Sequence, residues 1–181
     1  MKAFIINHAT KELEEQEIEI KANTLYTFFS SILIDELDAL HEHVIYSDAN
    51  ALSENKTPYF IGEQLVLGDA LILGRFDFDD VDVKIKKEEL QTLINYDVND
   101  FYKEVLSLLA TTDINLYKTF EVQKNGENIP LNSEWVLYTF NIADERTKAY
   151  FIDELKKVLE AKESVEAYIQ KMAQLAMNVA S

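Results

Sequence analysis

Apolar residues are densest between Tyr59 and Ile85, in the segment YFIGEQLVLGDALILGRFDFDDVDVKI. Its two short apolar runs, Gln64–Leu67 and Asp69–Leu73, are typical of strands that are buried on at least one face. Gly68 separates the runs, and the three glycines of the segment are predicted to supply positive φ angles at turns or bulges. We therefore expect this segment to be the centre of a sheet.

After Gly74 apolar residues alternate with charged residues, most of which are aspartates. Phe76 and Phe78 alternate with aspartates, and a second alternating run ends at Ile85. The phase slips by one residue at Asp79–Asp80, which predicts a bulge or a tight turn there.

The chain before this segment predicts a hairpin, a helix and a strand. Lys2–Asn7 and Glu12–Ile20 have strand patterns and are joined by a short turn, so that one face of the hairpin is acidic. Asn23 or Thr24 can cap a helix, and the spacing of apolar residues predicts that it continues to Leu40. Val44–Tyr46 is predicted to be a strand.

The chain after the segment alternates between helical and strand patterns. Lys86–Asn95 and Asn99–Ala110 are predicted to be helices, and Asp97 or Asn99 can cap the second. Periodicity stops at Ala110–Asp113, which we take as the internal boundary. Leu116–Gln123 is a strand candidate, and the Asn-Gly pair that follows it is typical of a hairpin turn.

Glu134–Ile142 (EWVLYTFNI) consists almost entirely of residues that favour strands. Trp135, Tyr138 and Phe140 could form an aromatic platform for single-stranded nucleic acid, but no basic residue lies among them. We therefore assign these aromatic residues to the core.

The segment from Asp144 to Ala180 contains neither glycine nor proline, and Asp144 can cap a helix. Asp144–Lys148 and Asp153–Lys157 are oriented as favourable i, i+4 ion pairs. Compactness favours a helical hairpin folded at Glu163-Ser164 over one long helix. Apolar residues of this segment recur at alternating spacings of four and three and form a stripe that could pair with a second copy: Phe151, Leu155, Val158, Val165, Ile169, Met172, Ala176 and Val179, interrupted by Lys162.

Together these patterns predict an α+β fold, in which a mixed or antiparallel sheet of hairpins is packed by helices and the chain ends in a helical hairpin or a long helix. We expect residues 1–112 to form an α+β domain. Residues 113–181 are expected to add a β-hairpin and the C-terminal helices, packed on the first part as one globular unit.

The composition of the chain restricts the partners, the chemistry and the location that we expect for the protein. The formal net charge of −16 makes direct binding to nucleic acid or to anionic membranes unfavourable and favours a basic protein as a partner. The chain has no cysteine, which excludes disulfides and thiolate chemistry. The sequence has no apolar stretch of secretory or membrane-spanning length, so we expect a cytoplasmic protein.

Two clusters could bind a metal ion, but neither fits well. A calcium loop that starts at Asp77 would use Asp79 and Glu88, but Val81 and Asp82 occupy the positions that need an oxygen ligand and a glycine. His41, His43 and Asp48 could converge if the histidines lay on one strand face. The sequence predicts no metal site and no cofactor.

Met1–Ile20 (MKAFIINHATKELEEQEIEI) and Ile45–Gly74 (IYSDANALSENKTPYFIGEQLVLGDALILG) together resemble a family of bacterial, phage and plasmid proteins with a domain of unknown function. The matching positions are Tyr46, Asp48, Asn55 and Leu67-Gly68-Asp69. The chain departs from the family in an acidic residue near Asn50, where the family often has glycine, and in its long C-terminal extension. The resemblance implies an accessory protein of a mobile element and assigns no catalytic residues.

These observations favour a non-enzymatic protein-protein interaction module, such as an inhibitor or a mimic of nucleic acid, over an enzyme. One alternative is a small metal-dependent enzyme that uses the Asp77–Asp82 cluster with His41 or His43. Another is a structural homo-oligomer, such as a homodimer through the C-terminal helices. The predicted binding residues form an acidic face: Glu15, Glu17, Glu19, Asp77, Asp79, Asp80 and Asp82.

Overall fold

The computed structural model describes residues 1–21, 23–112 and 114–179, except for the side chains of Ala39, Asn178 and Val179. The chain divides into two compact units, Met1–Val98 and Asn99–Ser181. The division therefore falls just before a helix, whereas the sequence places the boundary at Ala110–Asp113, of which Asp113 lies outside the described residues. Each unit combines helices with antiparallel strands, which confirms the α+β fold.

The first unit contains nine strands and two helices within its described residues. Its elements in chain order are β1 (Lys2–Asn7), β2 (Glu12–Glu17), α1 (Thr24–Phe29), β3 (Ile34–Leu40), β4 (His43–Asp48), β5 (Pro58–Ile61), β6 (Gln64–Leu67), β7 (Ala70–Phe76), β8 (Asp79–Val81), α2 (Lys87–Leu93) and β9 (Ile94–Asn95). The main sheet is antiparallel, with the order β2-β1-β7-β4-β3 and with β8 paired to β7. A smaller sheet has the order β6-β5-β9.

Strand β7 is the centre of the main sheet, as the density of apolar residues predicts. It pairs with β1 on one side and with β4 on the other. Its residues from Ala70 to Gly74 are buried, because both faces of the sheet are covered at this strand. The neighbouring run β6 belongs to the smaller sheet, so the two apolar runs do not pair with each other.

Side chains alternate between the two faces of the main sheet. One face carries a buried core cluster that includes Val44, Tyr46 and Leu73. Leu25 and Phe28 from α1 pack against this cluster. Phe4, Ile6, Ile45 and Ile72 are also buried. They occupy the positions that the two-residue period of a strand places on the opposite face.

The predicted helix from residue 23 to Leu40 is wrong in its second half. Helix α1 ends at Phe29, where Ser30 adopts a left-handed φ of 53°, and Ile34–Leu40 is the edge strand β3. Ile34 packs on the α1 face, whereas Leu37 is buried and lies at a position of the opposite face. An edge strand with apolar residues on both faces, and with a register irregularity before Leu40, reproduces the spacing of a helix.

The N-terminal hairpin forms as predicted, with Lys2 opposite Glu17 and Asn7 opposite Glu12. A second hairpin joins β7 to β8, and its turn is Asp77-Phe78 rather than Asp79-Asp80. Asp77 adopts a φ of 54° there. Asp79 already pairs with Phe76 as the first residue of β8.

The second unit consists of four helices and one hairpin within its described residues: α3 (Asp100–Leu109), β10 (Thr119–Lys124), β11 (Glu127–Asn132), α4 (Ser133–Asn141), α5 (Glu145–Glu160) and α6 (Val165–Val179). Asn99 caps α3 by accepting the Tyr102 amide, as predicted. The Asn125-Gly126 turn joins β10 to β11, and both residues adopt positive φ.

The predicted strand Glu134–Ile142 is wrong, because this segment forms α4. The side chain of Asn132 accepts the Trp135 amide and starts the helix. Val136, Leu137 and Phe140 then share the buried face, and Phe140 stacks on Phe151 with 4.6 Å between ring centroids. This packing outweighs the weak strand preference of the individual residues. Phe140 is buried, so the three rings do not form a platform. The assignment of these aromatic residues to the core is wrong for Tyr138, which remains about half exposed.

The C-terminal segment forms the predicted helical hairpin, with Asp144 capping α5 by accepting the Thr147 amide. The turn after α5 includes Lys162 in a left-handed conformation. Lys148 and Lys157 pair with Glu145 and Glu154 at i, i+3, and not with the aspartates predicted at i, i+4. Ala180, the last residue of the segment without glycine or proline, lies outside the described residues.

Candidate functional site

The excess negative charge is concentrated in the first unit. Residues 1–98 contain 20 acidic and 8 basic side chains, whereas residues 99–181 contain 13 and 9. The first unit therefore has a surplus of 12 carboxylates and the second a surplus of 4. All seven residues of the predicted acidic face belong to the first unit, where most of the excess negative charge lies.

The structure brings two of the predicted acidic segments together at Lys2. Glu17 lies opposite Lys2 in the β1–β2 ladder, and Glu15 pairs with the Lys2 ammonium group at 3.4 Å. On the other side of Lys2, its backbone amide donates to Oδ1 of Asp82 at 3.0 Å. The amide of Val83 donates to the Lys2 carbonyl oxygen at 3.0 Å, so the chain after β8 lies beside β1 on the side away from β2.

We use the name acidic edge for the exposed carboxylates of β2 together with Asp82: Glu12, Glu14, Glu15, Glu17 and Asp82. Strand β2 is the terminal strand of the main sheet, and Leu13 is its only buried residue. The carboxylates of β2 are therefore accessible from solvent along the whole strand, and Asp82 is exposed on the other side of Lys2.

Asp80 has a different role from its acidic neighbours, because it is bound inside the unit. Both of its carboxylate oxygens accept from the Tyr46 hydroxyl at 2.9 Å, and Oδ1 lies 3.3 Å from the Arg75 guanidinium. Arg75 also donates to the Tyr46 hydroxyl at 2.8 Å and pairs with Glu36. Burial, followed by the bond to Asp80, raises the pKa of Tyr46 above its ordinary range.

The remaining predicted residues lie on the surface. Asp77 and Asp79 are exposed at and beside the β7–β8 turn. Glu19, which follows β2, pairs with Lys21 at 2.9 Å on an exposed part of the chain. The seven predicted residues thus form neither one cleft nor one continuous cluster, although Glu15, Glu17 and Asp82 meet at Lys2.

His43 is bound by backbone groups. Its Nδ1 lies 2.7 Å from the His41 carbonyl oxygen, and its Nε2 lies 3.1 Å from the amides of Lys84 and Ile85. Since Nε2 faces two N–H donors, it accepts and Nδ1 carries the hydrogen. Both ring nitrogens are therefore occupied, which removes His43 from the predicted group with His41 and Asp48.

The metal-dependent alternative gains no support from the described part of the chain. Within residues 1–21, 23–112 and 114–179, no three His, Asp or Glu side chains are grouped so that they could hold a metal ion. Asp80 is bound to Tyr46 and Arg75, and Asp82 accepts a backbone amide. Calorimetric titration with Ca²⁺, Mg²⁺, Mn²⁺ and Zn²⁺ tests this alternative. A saturable heat of binding for one of these ions would support the metal-dependent enzyme.

A polar contact that the sequence did not predict joins His8 to Asp69. The His8 amide donates to Oδ1 of Asp69 at 2.9 Å, and Nδ1 of the same residue lies 2.7 Å from that oxygen. The contact links the turn after β1 to the turn before β7. Since 61 residues separate the partners, no local sequence signal could have indicated it.

Two tyrosines of the first unit have buried hydroxyls without a hydrogen-bond partner, Tyr59 and Tyr96. Their rings lie 5.3 Å apart, and the Lys11 ammonium group lies 5.2 Å from the centroid of the Tyr96 ring. Burial raises the pKa of both phenols. This cluster is a structural feature of the core to which we assign no chemistry.

Most of the apolar stripe that could pair with a second copy is buried inside the second unit. Phe151, Leu155, Ile169, Met172 and Ala176 are all buried. The stripe therefore offers little apolar surface to a partner, which weakens the alternative of a homo-oligomer built on these helices. Light scattering at high concentration tests that alternative directly.

A surface cleft of about 520 Å³ lies in the second unit, near the end of α3 and the start of α6. Thr111, Thr112, Lys162, Glu163 and Glu166 are among its lining residues. Glu166 is paired with Lys118, and Lys162 and Glu163 are exposed. Among its described lining residues, the cleft thus contains no pair of groups that the structure positions for acid–base chemistry.

Comparisons with known proteins add no assignment. No protein-family model matches the chain, and neither a curated protein nor a solved structure matches it. The resemblance of Met1–Ile20 and Ile45–Gly74 to a mobile-element family therefore stays a prediction. Among the described residues, the helices are all too short or too polar to cross a membrane.

Proposed function

We propose that this protein is a non-enzymatic interaction module that binds a basic protein through the acidic edge of its first unit. The observation that carries the proposal is the meeting of β2 and the chain after β8 on the two sides of Lys2, where Glu15, Glu17 and Asp82 are all exposed. Carboxylates presented in this way attract a surface that is rich in lysine and arginine.

The distribution of charge supports this function. Because the first unit has a surplus of 12 carboxylates, its field favours approach of a basic partner and repels nucleic acid and anionic membranes. The Debye length is about 8 Å at physiological ionic strength, so this attraction acts at short range and weakens as salt is added.

The position of the acidic residues at a sheet edge determines how a partner can bind. The other terminal strand, β3, also carries acidic residues, Asp35, Glu36 and Asp38. Charges on edge strands discourage strand-to-strand pairing between copies of a protein. We therefore expect the partner to contact carboxylate side chains and not to extend the sheet.

The partner that fits this chemistry best is a protein whose basic surface normally binds nucleic acid. The sign of the charge supports this choice, since such a surface is built to accept phosphate oxygens. The resemblance to proteins of mobile elements points in the same direction, because it implies an accessory protein. In this hypothesis the chain acts as an inhibitor that competes with nucleic acid.

Affinity capture from a lysate of the encoding organism, followed by binding measurements on the purified partner, tests the proposal. The triple variant Glu12→Gln/Glu14→Gln/Glu17→Gln removes three exposed carboxylates from the acidic edge. The triple variant Glu127→Gln/Glu160→Gln/Glu163→Gln removes three exposed carboxylates from the second unit and serves as the control of equal charge.

We expect the first variant to slow association and to reduce the salt dependence of binding, and the control to change both much less. We also expect nucleic acid to displace the chain from its partner. Equal effects of the two variants, or binding that does not respond to salt, would argue against the acidic edge as the binding surface.

A further inference from the structure

The turn of the β7–β8 hairpin presents an aromatic side chain to solvent. Phe78 is 95% exposed, and Phe76, which precedes the turn, is 62% exposed. Burial of a phenylalanine ring is strongly favourable, and the folded chain gains almost none of this energy at Phe78. Such an exposed ring is a candidate anchor for binding.

The hairpin that carries Phe78 is held in place on its inner side. Asp80 pairs with Arg75, the residue opposite it in the ladder, and accepts from the Tyr46 hydroxyl. Both partners of Asp80 are themselves anchored in the main sheet, on β7 and β4. The first strand residues after the turn are therefore fixed by side-chain contacts as well as by the ladder.

The chain that leaves β8 is also fixed. Asp82 accepts the amide of Lys2, and the Val83 amide donates to the carbonyl oxygen of Lys2. The amides of Lys84 and Ile85 donate to His43. Because contacts on both sides hold the hairpin, its tip is pre-organised, and less conformational entropy is lost when a partner binds it.

The surroundings of Phe78 determine the chemistry of the partner. Asp77 and Asp79 flank it in sequence and are both exposed. A pocket that accepts the ring would therefore bring its rim close to carboxylates, and basic residues on that rim would complement them. A second copy of this chain is a less favourable partner, because its net charge of −16 repels these carboxylates.

We propose that Phe78 is the anchor of the interaction and inserts into an apolar pocket rimmed by lysine or arginine on a basic protein. This inference rests on the proposed function and assigns different steps of binding to different residues. The acidic edge accelerates association, whereas the buried ring slows dissociation.

The probe for the experiment is a displayed library of random peptides, selected at low salt on the immobilised full chain. Selected peptides are synthesised, and their dissociation constants are measured against the wild type, Phe78→Ser, Phe78→Trp and Ile32→Ser. Ile32 is 83% exposed in the same unit and provides the control for loss of exposed apolar surface. Since Phe78 makes little contact with the rest of the chain, its variants should unfold at the wild-type urea concentration.

We expect selected peptides to combine basic and apolar residues and to bind Phe78→Ser about 10- to 100-fold more weakly than the wild type. Phe78→Trp should retain binding, and Ile32→Ser should not change it. Basic peptides that bind the wild type and Phe78→Ser equally would overturn this inference and leave the proposed function standing. Failure to select any basic peptide would remove both.

A separate measurement addresses self-association. If sedimentation shows a dimer of the wild type that dissociates in Phe78→Ser, the ring binds a second copy, and the inference of a basic partner pocket is overturned. A monomer at the same concentration for both proteins agrees with the inference.

Discussion

A Cβ atom on Gly74 would lie 2.3 Å from the backbone carbonyl oxygen of Asp82. It would also lie 2.9 Å from a side-chain carbon of Val81, the residue that pairs with Gly74 in the ladder. Gly74 is inside β7 and does not adopt a positive φ, so it is required for close approach of the chain and not for a turn. At this position the chain that follows β8 passes close to the central strand β7.

We expect Gly74→Ala to lower the free energy of unfolding of the first unit by about 3 kcal/mol, because the chain after β8 must move away from β7. Gly62→Ala is the control, since nothing lies within 4 Å of its added Cβ and only the φ of +60° opposes the substitution. We expect a cost of about 1 kcal/mol there. Urea unfolding measures both, and equal costs would contradict the close approach at Gly74.

His43→Leu should destabilise the segment that follows β8. The substitution removes the acceptor of the Lys84 and Ile85 amides. Because both hydrogen bonds are only partly buried, we expect a cost of about 1 kcal/mol, at the low end of the range for an unpaired donor. His41→Leu should cost less than about 0.5 kcal/mol, because His41 is exposed and its bond to His43 uses the backbone oxygen. Amide hydrogen exchange at Lys84 and Ile85 is the direct measurement, and unchanged protection in His43→Leu would refute this account.

Local signals in the sequence were sufficient where one residue determines the backbone. The Asn125-Gly126 turn, the caps at Asn99 and Asp144 and the apolar centre at β7 were all predicted from short patterns. The two wrong elements, β3 and α4, are cases in which tertiary contacts override local preference. Apolar residues on both faces of β3 imitate a helix, and packing of Phe140 on Phe151 makes a helix of strand-favouring residues.

The candidate site could be predicted only in part, because its acidic residues were visible but their partners were not. Asp80 and Tyr46 are 34 residues apart, and Lys2 and Asp82 are 80 apart. Which carboxylates are bound internally and which remain on the surface depends on these long-range contacts. The exposure of Phe78 could not be predicted either. Its alternation with aspartates predicts a residue within a strand, whereas the structure places it in an exposed turn.

Lys162→Gly should stabilise the second unit by about 0.5–1 kcal/mol. Lys162 adopts a φ of 55° just after α5, in the left-handed region where a side chain is unfavourable and glycine is common. The neighbouring substitution Glu163→Gly provides the contrast, since Glu163 does not have a positive φ and the new glycine only adds freedom to the unfolded chain. Thermal unfolding that shifts downward for Lys162→Gly would contradict the left-handed turn between α5 and α6.

Several tyrosines link stability to alkaline pH. Burial is the main cause that raises the pKa of Tyr46, Tyr59, Tyr102 and Tyr168 above the ordinary value of 10.0. Tyr168 also donates to the Phe151 carbonyl oxygen at 2.9 Å. The folded chain therefore keeps protons on these phenols at pH values at which the unfolded chain has lost them.

Tyr168→Phe should make the alkaline loss of stability less steep. A phenol with a raised pKa in the folded state stabilises fully below pH 10.0, and this contribution is lost as the pH rises above that value. Each such tyrosine lowers the free energy of unfolding by about 1.4 kcal/mol per pH unit in that interval. Urea unfolding of the second unit above pH 10.0 should give a slope for Tyr168→Phe that is smaller than the wild-type slope by this amount. Parallel slopes would mean that the Tyr168 phenol ionises equally in the folded and unfolded chains, in contradiction to its burial against Phe151.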